Sequence, residues 1–570
     1  MSNSVDGEER PKGVMDFTPL LLEGGGGESS RGSPSVDRII EEAKSGSELK
    51  SSGMDDYYQM GWYMFIVCLL SQMLLLVEVG DLLFMTFAGA APTIESCGTM
   101  NFTSAMKAEE RCNWLTEVWA NETEIEKYNC TRTSITKEQL KFQFKSVNVD
   151  FDELYCKTKS VKLSISVQMV GIIPGSFIFG WLSDSYGRRP AMLSALVCWI
   201  FSMVAASFAQ SLEMFTVLRF IVCFFNAGIA VTLIVFTSEL YPKKQRFCLM
   251  NLITWAPNYI LFGIIGYFCN EWRLLQRVLA VFALPCIGLI IFLSESPRFL
   301  ISARKMEEAK KAILRMHKFD GRPCDEKLLD EHLQRELDQM LQLSVTRRNY
   351  NYFHLFYDWK FAVYTMSVSF SLLVVTLITY SLMYNMDKLS GDIFMNMILT
   401  GTFKYMMNLA IAFADLQFKW LGRKLAHLIS EVLVIVALGL YVIMHLTGSD
   451  VKLPFLANGS LIAVVGFCGV LFNADKLAGS ELFPTGVRNL SCSFGQICSR
   501  IGVVGAPIIF FLKDVCVYEI CSTFPHFTLI TLAFVDAIFF QFAVRETKGR
   551  PMLTEFPSKQ KQREEDINDH

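Results

Sequence analysis

The chain has 570 residues, 52% of them hydrophobic and 13% aromatic but only 19% charged, with a formal net charge of −3. A soluble protein of this length divides into two or three domains with more surface charge, so the composition excludes that class. Neither a long basic stripe nor a zinc-finger spacing occurs, which leaves no footing for nucleic-acid binding. Apolar runs of about twenty residues recur along most of the length, enough for a helix to cross a bilayer, and predict an all-α polytopic membrane protein.

Residues 1–57 are rich in Gly, Ser and acidic side chains and read as a disordered cytosolic tail. They hold no apolar core segment of a cleavable signal, so the first membrane helix is expected to serve as the targeting signal. That span runs from about Tyr58 to Ala90 and carries Glu78 and Asp81, three apart and on one helical face. Carboxylates inside a membrane helix are costly and are expected to meet a cavity, a partner or the outer mouth.

Residues 92–160 form a long polar insert with Cys97, Cys112, Cys130 and Cys156 and with sequons at Asn101, Asn121 and Asn129. Paired cysteines beside sequons imply an oxidising, extracellular setting; four cysteines allow three pairings, and the sequence does not choose among them. With the insert outside, the turns rich in Lys and Arg near Arg188, Pro242, Arg298–Arg348 and Lys419–Lys424 fall on the cytosolic side, as the positive-inside rule requires. About twelve spans result, with both termini cytosolic. Residues 58–293 are expected to form one six-helix bundle and residues 359–544 a second. Between them lies a cytosolic linker, 294–358, with amphipathic helices near Met306–Leu314 and Asp325–Leu343, and residues 545–570 form a cytosolic tail.

The two halves echo each other. Ser238-Glu239-Leu240-Tyr241-Pro242 returns as Ser480-Glu481-Leu482-Phe483-Pro484, each with an arginine four beyond, Arg246 and Arg488. Gly187-Arg188-Arg189 returns as Gly422-Arg423-Lys424, and Glu295-Ser296-Pro297-Arg298 has a looser echo in Glu546-Thr547-Lys548. Such a duplication predicts two bundles with a substrate site between them near the midplane.

Gly180 to Arg189 reads G-x-L-x-D-x-x-G-R-R and resembles the signature loop of the major facilitator superfamily. Together with the cysteine-bearing insert, Ser294 to Leu300, Glu481 to Asn489 and Glu546 to Pro551, it makes the chain similar to the organic cation, organic anion and carnitine transporters of that superfamily. The resemblance covers about Tyr58 to Pro551. Two departures stand out: Phe299 where Trp is commoner, and Lys419 where relatives often carry an acid. The resemblance implies a secondary transporter working by alternating access. Asp184, Arg188, Arg189, Glu239, Arg246, Glu295 and Arg298, with Glu481 and Arg488 in the second half, are then expected to form an inner gate of Arg–carboxylate pairs that hold the bundles together when the cavity opens outward.

Substrate chemistry is expected from charges and aromatics at midspan. Arg500 lies inside the eleventh span, where a guanidinium needs a cavity, a ligand or a partner such as Asp475 or Glu78. The resemblance places an acid at this position in cation carriers and a base in anion and carnitine carriers. Lys404 is a second midspan cation, and Asp475 adds a carboxylate. Tyr380, Tyr384, Phe472 and Asn473 match cavity positions of relatives, and Arg219 resembles a superfamily arginine with a structural or coupling role. No phosphate-binding loop, His-Glu-x-x-His motif or triad occurs, so neither an enzyme nor a cofactor or metal is expected. The expectation is a plasma-membrane carrier of small organic ions, anions or zwitterions favoured, driven by the gradient of the substrate or of an exchanged ion. Two alternatives remain: an organic cation carrier using Glu78, Asp81 or Asp475, and a transporter-like sensor that moves nothing.

Overall fold

The computed structural model describes residues 57–547 except 98, 103–107, 132–139, 152–155, 157, 243–248, 250–251, 347–351, 357, 419, 484 and 512–522. The expected terminal tails therefore lie almost wholly outside the described residues, as do Arg246 and Lys419.

Eleven described helices are long and apolar enough to cross a bilayer: α1 Trp62–Ala88, α2 Lys159–Tyr186, α3 Arg188–Ala206, α4 Leu212–Leu240, α6 Trp272–Phe292, α7 Trp359–Met383, α8 Ile393–Ala414, α9 Arg423–Leu446, α10 Pro454–Glu481, α11 Leu490–Ile509 and α12 Phe524–Ala543. The fifth in order, α5 Ala256–Cys269, is apolar but shorter, and its N-terminal flank reaches into undescribed residues. A helix satisfies its backbone within the segment, which is why each apolar run takes this form in a bilayer. Local signals set the ends. The Ser211 hydroxyl accepts from the N–H of Met214 to start α4, and the Asp392 carboxylate accepts from that of Phe394 to start α8.

Packing repeats with the sequence. α1 packs on α4, α5 and α6 as α7 packs on α10, α11 and α12. α2 and α3 pack on α4, and α3 on α6, as α8 and α9 pack on α10, and α9 on α12. The halves meet chiefly along α2 against α11 and α5 against α8. Duplicated six-helix units with a two-fold seam are thus present, as the motif echoes predict.

The insert after α1 has its own small core of Ile94, Leu115, Leu140 and Val149 around the cysteines, with two short antiparallel strand pairs. Its disulfides are Cys97–Cys130 and Cys112–Cys156, which selects one of the three pairings. The linker forms helices Pro297–Ser302, Met306–Phe319 and Glu326–Thr346 around Phe299, Leu300, Ile313, Leu329 and Leu333. The apolar stripes read from the sequence are what they bury. This layer docks on the start of α1, where Asp320 Oδ1 accepts from the N–H of Tyr63 at 2.8 Å. The two ends of the bundle are named below by these features, the insert side and the linker side.

Candidate functional site

Between the halves near mid-depth, Arg500 of α11 reaches α1: its Nη2 lies 3.6 Å from Glu78 Oε1. Of the two partners the sequence allows, the structure chooses Glu78 and not Asp475. Lys404 of α8 lies over the Tyr259 ring of α5, 4.9 Å from its centroid, also across the seam, and its stem passes Gly469 of α10, where a Cβ would crowd it. Lys476 of α10 is exposed, stands 4.3 Å from the centre of the Phe472 ring, and interacts electrostatically with Glu78 and Arg500. Exposure together with those neighbours puts Lys476 on the space between the halves. Lys476 adjoins Asp475 in the chain, but the helix sends the two neighbours to opposite sides.

Tyr380 of α7 and Tyr384, the residue that caps its C-terminus, are buried with ring centroids 5.7 Å apart. Tyr384 donates its hydroxyl to Leu82 O at 3.1 Å, while Tyr380 Oη is buried with no hydrogen-bond partner. Asn473 donates to Asn408 Oδ1 at 3.4 Å. Tyr380, Tyr384, Phe472, Lys404 and Arg500 therefore cluster along the seam. Asp475 does not join them: it is fully buried inside the second half against His427, Ser371 and Asp536. Asp81 is likewise withdrawn. Arg219 Nη1 lies 2.6 Å from Asp81 Oδ1, a close charge contact without hydrogen-bond alignment, and both side chains have no exposure. Arg219 also donates to Asp81 O at 2.9 Å and lies over the Phe84 ring.

The seam is closed on the insert side. Lys162 donates to Asn385 Oδ1 at 2.5 Å and pairs with Asp387 at 3.8 Å. Gln143 of the insert donates to Gly391 O at 2.8 Å and accepts from Ile393 N at 2.9 Å. Phe87 stacks on Phe262 and contacts Phe394.

On the linker side the contacts described for Arg188, Glu239, Glu295, Glu481 and Arg488 lie within their own half, not between the halves as expected. Arg188 donates through Nε and Nη2 to Glu239 Oε1 at 3.2 and 3.0 Å and pairs with the exposed Asp184 at 3.1 Å. Glu295 caps α3 by accepting from the N–H groups of Arg188 and Arg189, where the helix dipole favours an anion. Burial pushes its carboxyl above the usual range against the pull of the Ser296, Arg189 and Arg188 N–H groups. The Arg189 guanidinium caps the C-terminal end of α6, donating to Ile290 O at 2.8 Å and to Ile291 O, so it is not one of the Arg–carboxylate pairs expected. Arg298 lies over the Tyr58 ring.

The second half repeats the design with residues the sequence reading left out of the gate. Glu546 caps α9 by accepting from the N–H groups of Arg423 at 2.9 Å and Lys424 at 3.1 Å, as Glu295 caps α3. Arg423 approaches Glu481 at 3.6 Å, and Thr547 donates to Glu481 at 2.5 Å. Arg488 turns back on its own helix start, donating to Phe483 O at 3.4 Å. The signal was present in the Glu546-Thr547 echo.

The family described as "Sugar (and other) transporter" matches residues 93–556. The chain is 27% identical over 395 residues to the human protein named "Organic cation/carnitine transporter 2", covering 68% of this chain and 67% of that one. It is 28% identical over 405 residues to "Solute carrier family 22 member 16" of Bos taurus, covering 69% and 67%. Among solved structures, the inward open conformation of the xylose transporter XylE from E. coli superposes with a TM-score of 0.59 at 16% identity, over 85% of this chain and 97% of that one. The partially occluded inward open conformation of XylE gives 0.58 at 15% identity, over 86% and 100%. At such identity the likeness shows the fold alone. With the duplicated helical halves and the family match over most of its length, the chain belongs to the sugar (and other) transporter family of the major facilitator superfamily, as a multi-pass membrane transporter and not an enzyme.

Proposed function

We propose that the chain carries small organic ions bearing a carboxylate or similar anionic group, as anions or zwitterions, across the plasma membrane by alternating access. One observation carries this reading: among the described residues near mid-depth on the seam, three cations, Arg500, Lys404 and Lys476, stand against one carboxylate, Glu78, because Asp81 is held by Arg219 and Asp475 is buried elsewhere. An excess of fixed positive charge in a cavity raises the local concentration of anions. Glu78 adds one negative group for the cationic end of a zwitterion, and Tyr380 and Phe472 add aromatic wall. The competing cation reading loses two of its three carboxylates to other partners.

The insert side is assigned to the outside of the cell, with both termini cytosolic. Its two disulfides call for an oxidising compartment, and Asn101, Asn121 and Asn129 are exposed there for glycan attachment. Removing glycans from protein expressed in animal cells is expected to increase its gel mobility, and Asn→Gln changes at these three positions to abolish that shift.

The deciding experiment is uptake of carnitine, para-aminohippurate and tetraethylammonium by reconstituted vesicles. Uptake of carnitine or para-aminohippurate that falls on Arg500→Ala supports the reading. Uptake of tetraethylammonium alone overturns it, and absence of flux for all three rejects these substrate classes.

A further inference from the structure

Five polar side chains meet inside the second half with no solvent access: Ser371 of α7, His427 and Glu431 of α9, Asp475 of α10 and Asp536 of α12. Ser371 Oγ lies at their centre, 2.7 Å from Asp475 Oδ2, 2.8 Å from Asp536 Oδ2 and 3.0 Å from His427 Nε2. A hydroxyl has one proton to donate, so two of these three contacts need a proton from the partner. If the serine donates to one aspartate, His427 donates through Nε2 and the other aspartate is a carboxylic acid. If it donates to His427, both aspartates are acids. Hydrogen-bond balance therefore requires at least one protonated carboxyl.

A second group stands apart from that count. Both carboxyl oxygens of Glu431 are buried and unpartnered, as is His427 Nδ1. A Glu431 oxygen, a His427 nitrogen and an Asp536 oxygen lie within 4.8 Å of one another. An ionised carboxylate without a hydrogen bond in that position is the costliest arrangement open to it. The other titratable group described against the cluster is Cys468 of α10, which in turn interacts with Lys404 of α8; Phe540 of α12 stacks on the imidazole.

The fold does not require these residues. In the register set by the repeated motifs, the first half has Met192, Leu196, Leu233 and Pro285 where the second has His427, Glu431, Asp475 and Asp536. Met192, Leu196 and Leu233 are buried core in the same architecture. The cluster is also wired to the linker side. Arg423, His427 and Glu431 fall at i, i+4 and i+8 on one face of α9. Asp475 lies on α10 with Glu481, and α12 runs from Asp536 into the turn of Glu546 and Thr547. Of the four helices that share the cluster, α9, α10 and the turn after α12 are joined by Arg423, Glu481, Glu546 and Thr547.

We propose that Ser371, His427, Glu431, Asp475 and Asp536 form a proton-binding site whose occupancy sets the linker-side contacts of the second half. Loading transfers a proton from hydronium to a carboxylate oxygen, breaking an O–H bond of hydronium and forming one on the carboxyl, and unloading returns the proton to water. The inference stands independently of the substrate class.

The test is infrared titration of the full chain in lipid nanodiscs from mildly acidic to mildly alkaline pH, with hydrogen–deuterium exchange read at 423–427 and 545–547. The wild type is expected to show a protonated-carboxyl C=O band that Asp536→Asn and Glu431→Gln each reduce. Exchange at the two linker-side stretches, corrected for its intrinsic pH dependence, is expected to change with the same midpoint in wild type and to lose that change in Glu431→Gln. Absence of the carboxyl band from the wild type overturns the proposal even if both variants fail to fold. A band that neither folded variant alters, pH-independent exchange in the wild type, or one metal ion per chain by elemental analysis overturns it as well.

Discussion

Arg500 Nη2 and Glu78 Oε1, 3.6 Å apart, join α11 to α1 across the two halves, with 14% and 3% of their side chains exposed. Removing one member of a buried pair leaves an uncompensated charge, at a cost of about 3–5 kcal/mol, whereas removing both costs far less. Arg500→Ala is expected to lower the melting temperature in detergent and to reduce uptake at least about tenfold, the scale of one lost charge-assisted contact. The Glu78→Gln, Arg500→Gln double variant is expected to recover most of the melting temperature and none of the uptake.

Arg219 is expected to be the most damaging single arginine to remove. It has no exposure, meets Asp81 at 2.6 Å, donates to a backbone carbonyl and lies 4.6 Å from the centre of the Phe84 ring. Arg219→Ala strands the Asp81 carboxylate and should cost about 3–5 kcal/mol. Asp81→Asn in the same background should restore part of it, read as thermal stability of the purified protein.

Gly187 and Gly422 occupy equivalent turns, but they should respond differently to alanine. Gly187 has φ +117°, a backbone region nearly reserved for glycine, and a Cβ there would come 2.5 Å from a Glu295 carboxylate oxygen. Gly422 has ordinary extended backbone, φ −86°, and only the approach of Glu546 to lose. Both changes should weaken the cap of the following helix. Gly187→Ala carries a further strain of about 1–3 kcal/mol, measurable as a larger drop in melting temperature.

Asp150 of the insert gives a pH signature. Partial burial raises its carboxyl, but hydrogen bonds and charge from Arg273 at 2.8 Å and Lys145 at 3.2 Å outweigh that and hold it below the usual carboxylate range. A lowered carboxyl contributes stability above its unfolded value, about 3.9, and loses it as pH falls through the folded value. Asp150→Asn should therefore destabilise the protein at neutral pH, and its difference from wild type should vanish in strong acid. Thermal melts at a series of pH values read this directly.

The fold was legible because its cause is one-dimensional. Runs of apolar residues long enough to span, charged turns between them and three repeated motifs determine two six-helix units. Among the described residues α5 is the shortest of these runs. The seam was legible in part: Arg500 and Lys404 are unusual side chains for a membrane helix at mid-depth, whereas Tyr380 and Phe472 were indicated only by the family resemblance. What sequence spacing does not contain is the rotation of each helix. Adjacent Asp475 and Lys476 differ by about 100° around α10, so one enters the bundle and the other the cavity. The same uncertainty hid the proximity of His427 and Glu431 to Asp536, more than a hundred residues away in the chain. Arg189 was misread for another reason: two adjacent arginines look interchangeable, yet one finds carboxylates and the other finds the carbonyls ending α6.

Gln143 belongs to the polar insert, yet it holds both the carbonyl of Gly391 and the N–H of Ile393 in the opposite half. Opening toward the insert side has to break that clasp, so the insert takes part in every turnover. An antibody fragment or small molecule that stabilises the clasp would slow maximal flux without competing with the cargo. Pharmacology directed at the insert would then show noncompetitive inhibition.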